Sequence, residues 1–200
     1  MTSEFSVYLR LGFGHIADLG AYDHILFIVA LSAGYAIIHW RQLLILVTAF
    51  TVGHSVTLAL ATLGLVTINS ALVEFLIPLT IFLTGVFTLI ETGTSPAQLE
   101  LPGQAQRIKY GLALVFGLVH GLGFSTFLRA VLGEEESITL PLFAFNVGLE
   151  IGQICIVVAV LVASALAVGL LRLARRDWVL VLSGATGGVA LLLMLERLLA

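Results

Sequence analysis

The chain has 200 residues, 60% of them hydrophobic and 10% charged, with a mean hydropathy of +1.13 and a formal net charge of −3. Long runs with few charges exclude an ordinary soluble domain, and they are too long for the strands of a transmembrane β-barrel. One cysteine, Cys155, rules out an internal disulfide, and no basic patch offers itself to nucleic acid.

The first residues, Met1-Thr2-Ser3-Glu4-Phe5, lack a basic stretch followed by an apolar one, so no cleaved leader is expected. Residues 1–20 are mixed in character and read as a short interfacial helix. About six transmembrane helices are then expected, each roughly 20 residues or longer. They run from about Tyr22 to Trp40, Gln42 to Val66, Ala71 to Ile90, Ile108 to Ala130, Ile138 to Leu171 and Trp178 to Leu198. The fifth is too long for a perpendicular crossing and is expected to tilt or project. Thr92 to Gln106, with Gly93, Pro96, Pro102 and Gly103, reads as a loop. The fold class is therefore all-α, a polytopic transmembrane helical bundle, with residues 1–200 as one integral membrane domain.

Lysine and arginine set the orientation. Arg41, Arg107, Lys109, Arg172, Arg175 and Arg176 fall on one side, and Arg10, Arg129 and Arg197 on the other. Positive charge is retained on the cytoplasmic side, so both termini are expected outside. His54 and His120 each lie 13 residues beyond a basic residue of the inner side, Arg41 and Arg107, and so rise about 20 Å from it. Asn146 and Glu150 descend from the outer end of the fifth helix to about the same depth. His15, Asp23 and His24 stand near the outer end of the first. Distant residues are thus expected to meet in the outer half of the bundle.

Ionisable groups inside a bilayer are costly and usually mark a pathway for substrate, proton or metal. Imidazole with carboxylate and almost no thiol favours a borderline divalent transition metal over a soft one. Asp23 beside His24 can bind such an ion or orient the ring; the structural alternative is a helix cap in the headgroup region. His54, bordered by Thr51 and Ser55, is either a ligand or packing glue between helices. His120 lies among Gly117, Gly121 and Gly123, which leave room for a ligand or for close helix packing. Both histidines have a phenylalanine four positions ahead (Phe50, Phe116) and a small residue after them, a hint of an internal repeat.

Asn146, Glu150 and Gln153 form a polar stripe at helical spacing that must face the interior or water. Glu150 there binds a cation, pairs, or is protonated and bonded to a neighbour. Thr80, Thr84, Thr88 and Glu91 form another face, on which threonines are expected to bond carbonyls one turn back. Glu74 is placed to guard the outer entrance, and His39 to anchor at the interface. Glu134-Glu135-Glu136 reads as a solvated outer loop. Gly184 and Gly188 are expected to serve helix contact within the chain or between protomers of a homo-oligomer.

Taken in order, these motifs resemble the HupE/UreJ family of bacterial membrane proteins. Gly14-His15-Ile16 and Gly20-Ala21-Tyr22-Asp23-His24-Ile25-Leu26-Phe27 look like its first signature. Thr48-Ala49-Phe50-Thr51-Val52-Gly53-His54-Ser55-Val56-Thr57-Leu58 looks like its second. Val73-Glu74, Gly117-Leu118-Val119-His120-Gly121-Leu122-Gly123-Phe124 and Phe145-Asn146-Val147-Gly148-Leu149-Glu150-Ile151-Gly152-Gln153 continue the match. Seven residues separate His15 from Asp23, a longer spacer than in the better-understood members, and Phe124-Ser125 stand where those members carry glutamate. The chain therefore resembles a divergent second branch.

The resemblance implies a secondary permease of the bacterial inner membrane that handles nickel or cobalt. His15, Asp23, His24, His54, His120 and Glu150 occupy the matching positions as metal residues, with Ser55, Glu74, Asn146 and Gln153 in support. Divalent nickel is the favoured ion, with zinc or cobalt as alternatives, and membrane lipid is the surrounding partner. No phosphate-cradling loop is present, so transport is expected to be passive or ion-coupled. Two other readings stay open: an intramembrane zinc hydrolase acting on a lipid or peptide, with Glu150 as base, and a non-transporting metal-binding partner of another membrane protein.

Overall fold

The computed structural model describes residues 3–94, 103–132 and 137–199. All seven α-helices described lie in these segments: α1 (Glu4–Ile16), α2 (Asp23–Ser32), α3 (Trp40–Thr62), α4 (Ser70–Thr94), α5 (Gly103–Leu132), α6 (Thr139–Ala165) and α7 (Arg175–Leu199). The acidic run 134–136 and the two prolines at 96 and 102 lie outside the described residues. Five segments are long and apolar enough to cross a bilayer: Ile37–Thr62, Ser70–Gly93, Ala105–Leu132, Thr139–Leu170 and Arg175–Leu199. Their outward faces carry Ile45, Val52, Val158, Leu192 and similar side chains, exposed because hydrocarbon rather than water solvates them. The chain is a transmembrane helical bundle, as composition required.

The N-terminal third departs from the expected plan. The apolar run from Tyr22 to Trp40 is broken: α2 ends at Ser32, and Ile37–His39 forms a separate 3-10 turn. Gly34 weakens the helix there, and its carbonyl is taken by the Arg175 guanidinium at 3.3 Å. Residues 4–16, expected at the membrane surface, form α1 and pack along α6. Ser3 caps α1 through the Ser6 amide, and glycines then let the two backbones touch. A Cβ at Gly12 would collide with the Phe145 carbonyl, and one at Gly148 with the Leu9 carbonyl.

α1 runs in the direction of α6, from Phe5 beside Phe143 to Ile16 against Gly152. α2 continues the same way towards the other face. Phe27 stacks on Phe50 at 4.7 Å, and beyond the helix the Tyr35 hydroxyl donates to Gln106 Oε1 at 3.0 Å. At about 1.5 Å per residue the two helices are about 20 Å and 15 Å long, so neither crosses alone, and in line they traverse the bundle. The break at residues 17–22 is a turn, closed where the Gly20 amide donates to Asp18 Oδ1 at 2.8 Å.

The upper face is the one that carries Thr62, Ser70, Leu132 and Thr139; the lower face carries Trp40, Thr94, Gly103 and Arg175. α3 and α5 form a parallel pair in close backbone contact at Gly53, Gly117 and Gly121. α3 ends in a Schellman-type turn, with Gly64 at φ 74 and the Leu65 amide bonded back to Leu60. α4 and α7 are antiparallel, joined by Gly85 against Gly187 and by the Arg197–Glu74 ion pair at 3.1 Å. Pro78 inside α4 cannot donate to the Glu74 carbonyl, which loosens the upper turn of that helix. Below it Thr80, Thr84, Thr88 and Thr92 each donate to a carbonyl three or four residues back, so this stripe is self-satisfied as expected. A Cβ at Gly184 or Gly188 would meet nothing within 4 Å, so close packing inside the chain is not their role.

Candidate metal centre

The break between α1 and α2 brings His15, at the end of one helix, beside Asp23 and His24, at the start of the next. The His15 and His24 rings lie 4.6 Å apart, edge to face. α3 places His54 at 5.9 Å from His15 and 6.0 Å from His24. α5 places His120 at 5.0 Å from His24. Four histidines from the interrupted crossing, α3 and α5 thus share one chamber. His24, His54 and His120 are buried and His15 is half-buried.

Aromatic rings wall the chamber. Phe124 lies 3.8 Å from His15, Phe145 stacks by His54 at 6.3 Å, and Phe27 and Phe50 stand at 5.2 Å and 5.1 Å from His120. Such walls supply no hydrogen bonds, and the ring nitrogens are left over. His15 Nε2, His24 Nε2, both nitrogens of His54, and His120 Nδ1 are buried without a hydrogen-bond partner. Buried polar atoms are normally paired, because an unpaired one costs its full desolvation. Orphaned nitrogens on rings that crowd one chamber are what a cation binding site leaves when its cation is not counted.

The second nitrogens are held. Asp23 Oδ1 accepts from the His24 backbone amide at 2.8 Å and from His24 Nδ1 at 3.0 Å. With Nδ1 carrying the proton, the lone pair of His24 is left on Nε2. Thr80 Oγ1 stands 2.9 Å from His120 Nε2, which leaves Nδ1 for the chamber. One ligand atom from each of His15, His24 and His54 can be chosen so that all lie within 4.8 Å of one another. Three nitrogens round one ion at about 2.0–2.1 Å stand about 3.5 Å apart, so the triad closes with side-chain shifts of about an ångström. The donor set suits a borderline divalent ion.

The remaining polar residues expected at the site lie round this chamber or beyond it. Glu150 accepts from Thr48 Oγ1 at 2.6 Å, on the α3–α6 contact, and is outside the triad. Gln153 Oε1 accepts from Thr51 at 3.1 Å, and Ser55 donates to the Thr51 carbonyl at 2.6 Å. Asn146 Nδ2 donates to the Leu142 carbonyl at 2.8 Å, its Oδ1 being buried and unpartnered. Glu74, paired with Arg197, lines an upper cavity of about 190 Å³ together with Arg129, Ser125 and Gly123. His39 Nδ1 accepts from the Ala36 amide at 3.2 Å, far from the chamber.

Thr48, the phenylalanine wall and the link from Thr80 to His120 were not legible as site features. Thr80 is 40 positions from His120, and nothing in the spacing of a self-satisfied threonine stripe singles it out. Residues 1–197 match a family model described as HupE / UreJ protein. No curated protein and no solved structure gives a significant match.

Proposed function

Because the chain belongs to the HupE/UreJ family, whose members are generally nickel- and cobalt-permease-like, we propose that it carries a divalent transition metal ion, nickel foremost, across the membrane. The observation that supports this reading is the set of orphaned ring nitrogens of His15, His24, His54 and His120 in one chamber of a transmembrane bundle. Imidazole nitrogen suits nickel, cobalt and zinc alike, and geometry together with availability then selects among them. Asp23 fixes the His24 ring, and Glu150 serves the α3–α6 contact rather than the ion. On this reading the ion is cargo, so the ligands must release it as well as bind it.

The excess of basic residues on the lower face supports a cytoplasmic lower side in a bacterial inner membrane, with the termini outside. Gly184 and Gly188, with open space before them, are available to a second protomer. A hydrolase would require a free base at the metal. Here the Glu150 carboxylate is engaged by Thr48 and the Ser55 hydroxyl by its own helix, which favours the carrier.

Purified protein in liposomes that enclose a nickel-quenched dye gives the test. A nickel gradient should quench the dye in wild type, and His54→Ala should slow the flux tenfold or more. Equal flux in both, or one tightly held zinc with no flux, would overturn the proposal.

A further inference from the structure

The helices fall into two sets of three crossings. Residues 4–94 supply the interrupted crossing, α3 and α4; residues 103–199 supply α5, α6 and α7. Three is odd, so the second set enters from the opposite face and runs upside down relative to the first. Short sequence echoes follow the same division. Ala49-Phe50-Thr51-Val52-Gly53 on α3 parallels Ala144-Phe145-Asn146-Val147-Gly148 on α6. Gly12-Phe13-Gly14-His15 on α1 parallels Gly117-Leu118-Val119-His120 on α5.

The backbone contacts repeat with these echoes, residue for residue. Gly12 abuts the Phe145 carbonyl and the Leu149 amide nitrogen; Gly117 abuts the Phe50 carbonyl and the His54 amide nitrogen. Gly148 abuts the Leu9 carbonyl and the Phe13 nitrogen; Gly53 abuts the Leu114 carbonyl and the Leu118 nitrogen. The same shift that takes Phe50 to Phe145 takes His54 to Leu149, and the shift that takes Gly12 to Gly117 takes Leu9 to Leu114 and Phe13 to Leu118. The α3–α5 interface is therefore the α6–α1 interface over again. α4 and α7 are each other's mates, and they meet at Gly85 and Gly187, each preceded by threonine.

We infer that the chain is an inverted tandem duplication whose halves exchange conformations, so that the histidine chamber is reached alternately from the two faces of the membrane. The pseudo-two-fold axis lies in the membrane plane, because mated helices run in opposite directions. His15 and His120 are mates, and both line the chamber, so the chamber lies by the axis. One difference between the halves lies beside the chamber. The first is interrupted at residues 17–22, just after His15, whereas α5 continues as helix past His120 through Gly121 and Gly123. Inverted repeats held in unlike conformations are how secondary carriers store two states of one site.

Two cavities fit this scheme. The upper one, with Glu74 and Gly123, lies above the contact of Thr80 with His120. A lower one of about 320 Å³, lined by Leu31, Thr84, Phe116 and Lys109, lies below it. In the exchanged state the gap at 17–22 closes into helix and its counterpart, residues 122–127, opens. The alternation rests on the transport reading; the duplication does not.

Pulsed electron–electron distance measurements on full-length protein in lipid nanodiscs test it. The lone native cysteine is replaced (Cys155→Ser), and paired labels are placed at lipid-facing positions, Val7 with Ile38 across the first break and Ile108 with Val131 along α5. Each pair should give two distances differing by roughly 5 Å or more, since a few residues passing from helix to extended chain lengthen a segment by that much. Nickel should shift the two pairs in opposite senses. A single distance in both pairs, with nickel binding intact by calorimetry, overturns the exchange and leaves the metal reading standing. Two exchanging distances without nickel binding support the exchange and remove nickel as the cargo. Hydrogen exchange of the unlabelled protein is the second measurement: protection at 122–127 equal to that at 106–119 counts against the proposal, and faster exchange there supports it.

Discussion

Thr80 and His120 form a relay across the α4–α5 seam. The Thr80 hydroxyl has one proton, which goes to the Ile77 carbonyl at 2.7 Å, so at 2.9 Å from His120 Nε2 it accepts. With the His120 proton held on Nε2 in this way, the lone pair is left on Nδ1, which is buried without a hydrogen-bond partner. Thr80→Val keeps the shape and removes the acceptor, and should weaken nickel binding about tenfold. Thr80→Ser should restore it. Calorimetric titration of the three proteins measures this, and equal affinity for valine and threonine would remove Thr80 from the site.

Asp23 acts on His24 in the same way but more strongly, because one carboxylate oxygen accepts from both the amide and Nδ1. Asp23→Ala should lower metal affinity about 10–100-fold, with Asp23→Asn in between, since an amide oxygen still accepts without the charge. Titration with nickel and with cobalt gives the comparison. Asparagine as damaging as alanine would show that charge, and not ring orientation, is what Asp23 contributes.

Glu150 makes the contrasting case. Its carboxylate sits on Thr48, so Glu150→Gln should change metal affinity less than about threefold, while His54→Ala should abolish measurable binding. A loss with Glu150→Gln as large as with His54→Ala would bring Glu150 into the coordination set.

What could be read from sequence follows from which forces act locally. Long apolar runs dictated the helical membrane bundle, because lipid leaves the backbone no other partner than itself. The depth argument brought His54 and His120 to one level, since helix rise is constant over 13 residues. The sequence sets His15 near them from the mouth of the first span; it reaches them instead from the end of α1, which lies in the bundle. The mixed composition of residues 1–20 suggested a surface helix, and the deciding fact was tertiary: Gly12 and Gly148 interlock with the partner backbones. Glu150 shows the converse. A stripe identifies a face turned inward, and the neighbour that meets it, here Thr48, is set by helix rotation that no periodicity records.

Those interlocking glycines give a stability prediction with an internal control. A Cβ at Gly53 or Gly117 would strike the backbone of the partner helix, which cannot rotate away as a side chain can. Gly117→Ala should therefore cost at least the about 1–3 kcal/mol typical of overpacking. Gly184→Ala, with open space in front of it, should stay within about 0.5 kcal/mol of wild type. Unfolding in mixed detergent micelles compares the two. A tolerated Gly117→Ala would mean that the α3–α5 pair is looser than described.

At the lower face Lys109 Nζ meets Glu91 Oε2 at 2.6 Å, with the ammonium 5.1 Å from the Tyr35 ring and 5.6 Å from Phe87. Both side chains are largely buried, so removing either breaks an ion pair in a poorly solvated place. Lys109→Met or Glu91→Leu alone should each destabilise the protein by about 3–5 kcal/mol. The double replacement removes both desolvation costs and should recover most of that loss, because apolar groups of similar volume pack where the pair stood. The same variants separate structure from transport. If the pair is only a structural clasp, the double variant regains flux with stability. If it closes the lower end of the path, the double variant is stable and its nickel leak is raised.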